Sequence, residues 1–333
     1  MRRLSTPGFV PALAIVLAVT TMPGPALTQS GTLVVVNKSA STVTLIDLAS
    51  RRAVATLPTG QGPHEIAITR DGRTAVVTDY ARGNSLTVID VAARSVARTV
   101  DLTSHPSPHG IAFLPGDSVV AVTSEASNSV VLVRVRDGEI IRAISTDQGG
   151  SHMLAVPASG QWIYTGNIRD NTVSELDVSK GALTRTFAVP TQPEAITVTA
   201  DGSEVWVGSN DQGSVSAVST KTGDVRTMLR GFGWPYRILI TPDNRLVLVP
   251  DLRKHQLRIA ERATGRELAV LDFPGAGPQG ITLSPDGRTV YLSLSQEDRL
   301  AVIDLERREV TGYIAAGPRP DGIAYSMIVT DSR

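Results

Sequence analysis

From Leu33 onward, hydrophobic residues fall in short runs that alternate with polar ones at period two or form compact apolar stretches. The helical period is absent. Around Glu65–Val100 the pattern predicts a short strand over 66–69, an Asp71-Gly72 turn, an apolar strand over 74–77, a third strand over 85–90 and a fourth over 95–100. The same order returns along the chain. GPHEIAITRDGR (62–73), SPHGIAFLPGDS (107–118), GSHMLAVPASGQ (150–161) and QPEAITVTADGS (192–203) align with one another. WPYRILITPDNR (234–245), GPQGITLSPDGR (277–288) and RPDGIAYS (319–326) complete the set. Equivalent positions are 64, 109, 152, 194, 236, 279 and 321, spaced by 42 to 45 residues. Asp201-Gly202, Asp243-Asn244 and Asp286-Gly287 repeat the turn chemistry.

Four short antiparallel strands per repeat, repeated at a nearly fixed period, describe the blade of a radial all-β architecture. The chain begins with second-, third- and fourth-type strands (32–36, 42–47, 53–57) and ends with a first-type strand over 322–325. The two ends are therefore expected to share one blade, which removes an open sheet edge. The expectation is all-β: a single seven-bladed β-propeller over 29–333, closed by sharing one blade between its N- and C-terminal strands.

Composition narrows the chemistry. With 32 Lys+Arg against 32 Asp+Glu, no overall basic field exists to hold a phosphate backbone, so nucleic-acid binding is not expected, and because no apolar run reaches about 18 residues, neither is membrane insertion. The absence of Cys excludes disulfides, thiolate nucleophiles and cysteine metal sites. Arg2 and Arg3, an apolar stretch near 9–19 and a small-residue segment ending at Ala26-Leu27-Thr28 read as a cleaved signal peptide over 1–28. The mature chain is expected to be exported, periplasmic or secreted, and soluble. No nucleophile elbow, phosphate loop, dinucleotide fingerprint, or haem or flavin motif is present.

Second-strand endings such as Val34-Val35-Val36-Asn37, Val76-Val77-Thr78-Asp79 and Tyr164-Thr165-Gly166-Asn167 resemble the YVTN signature. Third-strand endings Leu45-Ile46-Asp47-Leu48, Val88-Ile89-Asp90-Val91 and Val302-Ile303-Asp304-Leu305, together with the SPDG turn, strengthen that resemblance to YVTN-family β-propeller repeat proteins over about 31–326. The resemblance implies the fold. For function it implies a range that includes surface-layer-like proteins, lactonase-like enzymes and companions of redox enzymes. The turns Gly62-Pro63-His64 and Ser107-Pro108-His109-Gly110 are also similar to those of streptogramin lyase relatives, which are metal-dependent propellers. Their aromatic strand ending is replaced here by Val76–Asp79 and Ala121–Ser124, and no catalytic residue is carried over.

In such a ring the residue entering each first strand lies at one mouth of the central channel. Read in order, that ring is His64, His109, His152, Glu194, Tyr236, Gln279 and Asp321. Three of the five histidines thus occupy consecutive homologous positions, followed by a carboxylate. His64, His109, His152 and Glu194 form the expected ligand set for a divalent transition metal such as Zn, Mn, Fe, Ni or Cu, each imidazole reaching it at about 2.1 Å. Alternatively, these imidazoles bond the neighbouring blade and close the seam. Asn37, Asp79, Ser124 with Glu125, Asn167, Ser209 and Asp251 form a second ring that either orients the imidazoles or caps strand ends. Trp234 and Tyr236 offer an apolar wall, and Arg237 a partner for a carboxylate or phosphate on a ligand, with Gln279 and Asp321 beside them. Three functions follow: a propeller binding a metal or small ligand, a metal-dependent hydrolase, lactonase or lyase with Glu194 as catalytic residue, and an interaction scaffold for a protein partner.

Overall fold

The computed structural model describes residues 29–330. The expected leader, 1–28, lies outside them. Among the described residues there are 28 strands, numbered in chain order from β1 (Thr32–Asn37) to β28 (Pro320–Ser326), and no helix. They form seven four-stranded antiparallel sheets, the blades of a seven-bladed propeller. Blade 1 is the shared one, ordered β28-β1-β2-β3 with β2 at Thr42–Asp47 and β3 at Arg52–Pro58. β28 pairs β1 antiparallel through Val34↔Ala324 and Val35↔Ile323. Blades 2 to 7 span 63–101, 108–145, 151–188, 193–230, 239–272 and 278–315.

The second and third strands read as unbroken apolar runs because both faces of each blade are covered. Along β1, Leu33 and Val35 pack toward blade 7 with Tyr291 and Val302, whereas Val34 and Val36 pack toward blade 2 with Ala75 and Val77. Seven hydrophobic clusters result, one in each seam between adjacent blades. The outermost strands face water on one side and alternate instead, as in Ser95–Asp101.

The aspartate turns form as their sequence requires. Asp71 Oδ1 accepts bonds from Thr69 Oγ1 (2.6 Å) and the Arg73 amide (3.0 Å), and Gly72 takes a φ of 73°. Thr241, Asp243 and Arg245 repeat this pattern, as do Ser284, Asp286 and Arg288. These turns end the innermost strands and lie at the opposite end of the channel from the ring of entry residues.

Candidate functional site

Each innermost strand starts at the mouth, and its second residue is the ring residue. His64 follows Pro63 in β4 (Pro63–Ile68), and His109, His152, Glu194, Gln279 and Asp321 hold the same place in their blades. The residue two positions earlier is left-handed in six blades: Gly62, Ser107, Gly150, Gln192, Gly277 and Arg319, with φ between 53° and 74°. At Gly62 no side chain fits, because a Cβ would stand 2.5 Å from the Ala81 carbonyl. A bulge follows in these strands, as where Pro63 pairs Asp79 but Ile66 pairs Val77. The extra residue re-aims the start of the strand toward the channel. Blade 6 departs from the pattern. Its inner strand is only Leu239–Ile240, and Trp234-Pro235-Tyr236 enter as a loop, held by Asp251 accepting the amides of Gly233 (2.7 Å) and Trp234 (2.9 Å).

The ring backbone is held by hydroxyls of the second strands. Thr78 Oγ1 donates to the His109 carbonyl (2.8 Å), Thr123 Oγ1 to that of His152 (2.5 Å) and Ser293 Oγ to that of Asp321 (2.7 Å). The seam between these blades therefore uses the backbone of the ring residues and leaves their imidazoles and carboxylates to the channel.

The residues of the expected second ring cap strand ends. Asn37 donates to Thr42 (3.0 Å) and Thr44 (2.9 Å), and Asp79 accepts from Ser85 (2.6 Å) and Thr87 (2.9 Å). Asn167 donates to Thr172 and Ser174, and Ser124 donates to the Pro106 carbonyl. The groups that reach the ring are one residue further on: Lys38, Tyr80, Glu125 and Asn210. In all seven blades the amide at that position donates to the carbonyl two residues before the ring residue, as Tyr80 does to Gly62 (3.1 Å) and Glu125 to Ser107 (3.1 Å). Side chains alternate along an extended chain, so when the strand-ending residue turns into its own blade the next one turns to the mouth.

On the histidine side, His109 and His152 stack with ring centroids 3.7 Å apart, and His64 lies 5.3 Å from His109. Tyr80 sits edge-on to His109 (4.5 Å) and His64 (4.9 Å) and donates its hydroxyl to Glu125 Oε2 (2.8 Å). His152 Nδ1–H donates to the same oxygen (3.1 Å), while His64 Nδ1–H donates to the Gly62 carbonyl (2.9 Å). Burial lowers the pKa of His64 to about 4 and that of His109 well below its ordinary value, so both rings are neutral at pH 7. The hydrogen bond from His152 holds Glu125 below the usual carboxylate range. Glu194, bonded by the Asn210 amide, is pushed up by burial against the opposing pull of His152. The Trp234 indole N–H favours its charged form without closing a hydrogen bond. His64, His109 and His152 are thus brought together, with Glu194 in the next blade. Among the described residues no group of three or more His, Asp or Glu is arranged as a metal-ligand set.

On the opposite side, Asp321 Oδ2 accepts from Lys38 Nζ (3.1 Å) and the Tyr236 hydroxyl (3.2 Å). Burial alone would raise the Asp321 pKa, but Lys38 and Arg237 hold it below its ordinary value. Arg237 is not free for a ligand anion, because it reaches across the channel to Glu65 and donates to the Tyr236 carbonyl (2.7 Å). Its guanidinium lies over the Tyr236 ring at 4.2 Å. Burial lowers the Arg237 pKa to about 10. Trp234 and Tyr236 do not form a bare apolar wall, since Arg253 covers the Trp234 ring at 4.5 Å. Beneath the Arg237–Glu65 pair the channel holds a cavity of about 250 Å³ floored by Ile196, Ile238 and Ile281. A larger recess of about 440 Å³, lined by Ile68, Leu283, Tyr325 and Met327, lies at the far end of the channel. His255, off the ring, accepts the Gly277 amide at Nδ1 (3.2 Å) and so supports a loop.

Glu65, Lys38, Tyr80 and Asn210 escaped the sequence reading. The parity of residues past each second strand was the signal for the last three, and Glu65 carried none.

Fold and mouth together define a seven-bladed β-propeller with a polar ring at one end of a closed channel. Residues 18–118 match the family model described as YNCE-like β-propeller. Among curated proteins the chain is 24% identical over 328 residues to the uncharacterized protein YwhL of Bacillus subtilis, covering 90% of this chain and 68% of that one. Among solved structures it is similar to Kuenenia stuttgartiensis hydrazine synthase, with a TM-score of 0.73 and 19% identity over 82% of this chain and 92% of that one. It is also similar to a protein of unknown function from Desulfotomaculum acetoxidans, with a TM-score of 0.74 and 18% identity over 89% and 99% of the two chains. At these identities the likeness to the solved structures is one of fold. The matches are consistent with the YVTN-like character of the repeats.

Proposed function

We infer that this chain is an exported binding propeller that takes a metal ion or small ligand at the histidine-bearing mouth. One observation carries the reading. Ten buried side-chain polar atoms among the described residues have no hydrogen-bond partner, and five belong to this mouth: His109 Nδ1, Asn210 Oδ1, Trp234 Nε1, Gln279 Oε1 and Asp321 Oδ1. Buried polar groups are normally paired, so a concentration of unpaired ones in one place points to a partner from outside the chain. Export rests on the leader-like character of residues 1–28, and no helix among the described residues is long and apolar enough to cross a membrane.

A divalent transition metal is the ion this reading favours. Metal ligation requires neutral imidazole, the state in which burial holds His64 and His109. Glu194 supplies the carboxylate. For three nitrogens to converge on one ion, the His109–His152 stack must open, which a rotation of either ring about its side-chain torsions accomplishes.

Elemental mass spectrometry of the mature protein purified without chelator, beside a His64→Ala/His109→Ala/His152→Ala control, tests this. Near-stoichiometric metal that vanishes in the control supports the site. No metal after reloading with Zn, Mn, Fe, Ni and Cu sinks its metal part. If the loaded protein hydrolyses lactones or esters and Glu194→Gln abolishes turnover while retaining the metal, the protein is an enzyme as well as a binder.

A further inference from the structure

The unpaired atoms at the mouth are not distributed evenly, and their chemistry selects a ligand. Three are oxygen acceptors: Asn210 Oδ1 in blade 5, Gln279 Oε1 in blade 7 and Asp321 Oδ1 in blade 1. Their residues are more than nine-tenths buried, with exposures of 8%, 6% and 0%. A buried acceptor without a donor costs about 1–3 kcal/mol, so the arc is complementary to something that brings several donors at once.

The charges beside the arc decide what kind of donor. An anion is disfavoured, because the arc presents acceptor oxygens that include the Asp321 carboxylate, and Lys38 and Arg237 are already committed to Asp321 and Glu65. An ammonium is disfavoured for two reasons. Lys38 Nζ stands 3.1 Å from Asp321 and would repel it, and the aromatic faces that could cage it are covered, Tyr236 by Arg237 and Trp234 by Arg253. An apolar ligand would leave all three oxygens unpaired. Hydroxyl groups remain: each donates to a carbonyl or carboxylate oxygen, carries no charge, and can accept in turn from the unpaired Trp234 N–H.

We propose that the Asn210–Trp234–Gln279–Asp321 arc is the subsite for an uncharged, hydroxyl-rich ligand, a sugar or polyol. The proposal rests on the mouth being the binding site, but not on the metal. The histidine side then presents neutral rings to the remainder of the ligand, with or without an ion between them.

Saturation-transfer NMR and calorimetry on the metal-free mature protein, with glucose and mannitol as neutral probes and glucuronate and putrescine as charged ones, provide the test. Saturation is expected to reach glucose or mannitol and neither charged probe. Gln279→Ala should weaken binding about tenfold with the thermal midpoint kept, the size expected for one lost hydrogen bond in a dry site. Asp321→Asn should weaken it at least as much. Absence of transfer to both neutral probes overturns the proposal, as does preference for either charged probe or indifference to Gln279→Ala. Repeating the titration on the triple-histidine variant separates the two readings: neutral-probe binding that persists where metal uptake is lost upholds the acceptor arc on its own.

Discussion

The Thr123 hydroxyl donates to the backbone carbonyl of His152 in the next blade at 2.5 Å while accepting the Gly110 amide of its own blade at 2.8 Å. One side chain thus satisfies two buried backbone groups and fixes the distance between neighbouring ring residues. Thr78 repeats this between blades 2 and 3, taking the Glu65 amide (3.2 Å) and giving to His109. Thr123→Val keeps the shape and leaves both groups unpaired. It should cost about 2–4 kcal/mol, whereas Thr123→Ser should cost less than about 1. Urea unfolding of the two variants distinguishes a seam bond from simple packing.

Asp79 gives the fold a pH dependence that the asparagines in the equivalent place of blades 1 and 4 do not give. Burial pushes its carboxyl up to about 6, because only hydroxyls and the Gly60 amide oppose the loss of water. The folded state therefore holds a proton that the unfolded chain has released between pH 4 and 6. The stability contributed by this group is fully present below about pH 4 and is lost as pH rises through 6, by about 3 kcal/mol. Asn37 and Asn167 occupy the equivalent place in blades 1 and 4 and donate to the same kind of hydroxyls. Asp79→Asn should therefore fold normally and be more stable than wild type at pH 7, with the difference shrinking toward pH 4. Denaturation midpoints across that range check the sign, and a constant difference at all pH values would refute it.

Trp206 is fully buried in the seam between blades 5 and 6, against Val215, Val247 and Val249. Its indole N–H donates to Glu204 (3.1 Å), which also accepts from Arg226 and Arg262. Trp206→Ala should cost about 3–5 kcal/mol through the cavity it leaves, with Trp206→Phe intermediate. Because the residue lies away from the mouth, ligand affinity measured below the melting transition should not change.

Ring closure depends on the β28–β1 pairing. Truncation before Pro320 removes the only sheet partner of β1 on that side and exposes an apolar edge of Leu33, Val34 and Val35. The truncated chain is expected to self-associate, since an unprotected edge templates further pairing. Size-exclusion chromatography with light scattering reads the outcome, and a monomer with the wild-type melting temperature would show that closure needs no shared blade.

The ring of entry residues was legible because a repeat of 42 to 45 residues fixes the register of every blade. Once one copy is placed, His64, His109, His152, Glu194, Tyr236, Gln279 and Asp321 must share a mouth. Of the second ring, Glu125 reaches the histidines, while Asn37, Asp79 and Asn167 follow the capping alternative. Asn37, Asp79 and Asn167 are conspicuous as types, but their side chains are used by hydroxyls of the neighbouring third strand, and the next residue faces the channel. Tyr80 and Lys38 carry no motif and gain meaning only from what stands across from them.

The sequence by itself determined the blade count, the shared closing blade and the identity of the mouth residues, because periodic local patterns and turn chemistry are written into each repeat. Tertiary structure alone decided which groups are already committed. Arg237 reads as free to hold a ligand until it meets Glu65, 172 positions away, across the channel. His109 and His152 read as separate ligands, and only the assembled ring shows their imidazoles stacked 3.7 Å apart. Such pairings depend on the diameter of the closed ring, on which side-chain torsion each residue adopts and on how much water its neighbours remove. No single repeat contains that information, because the channel exists only when all seven blades are assembled.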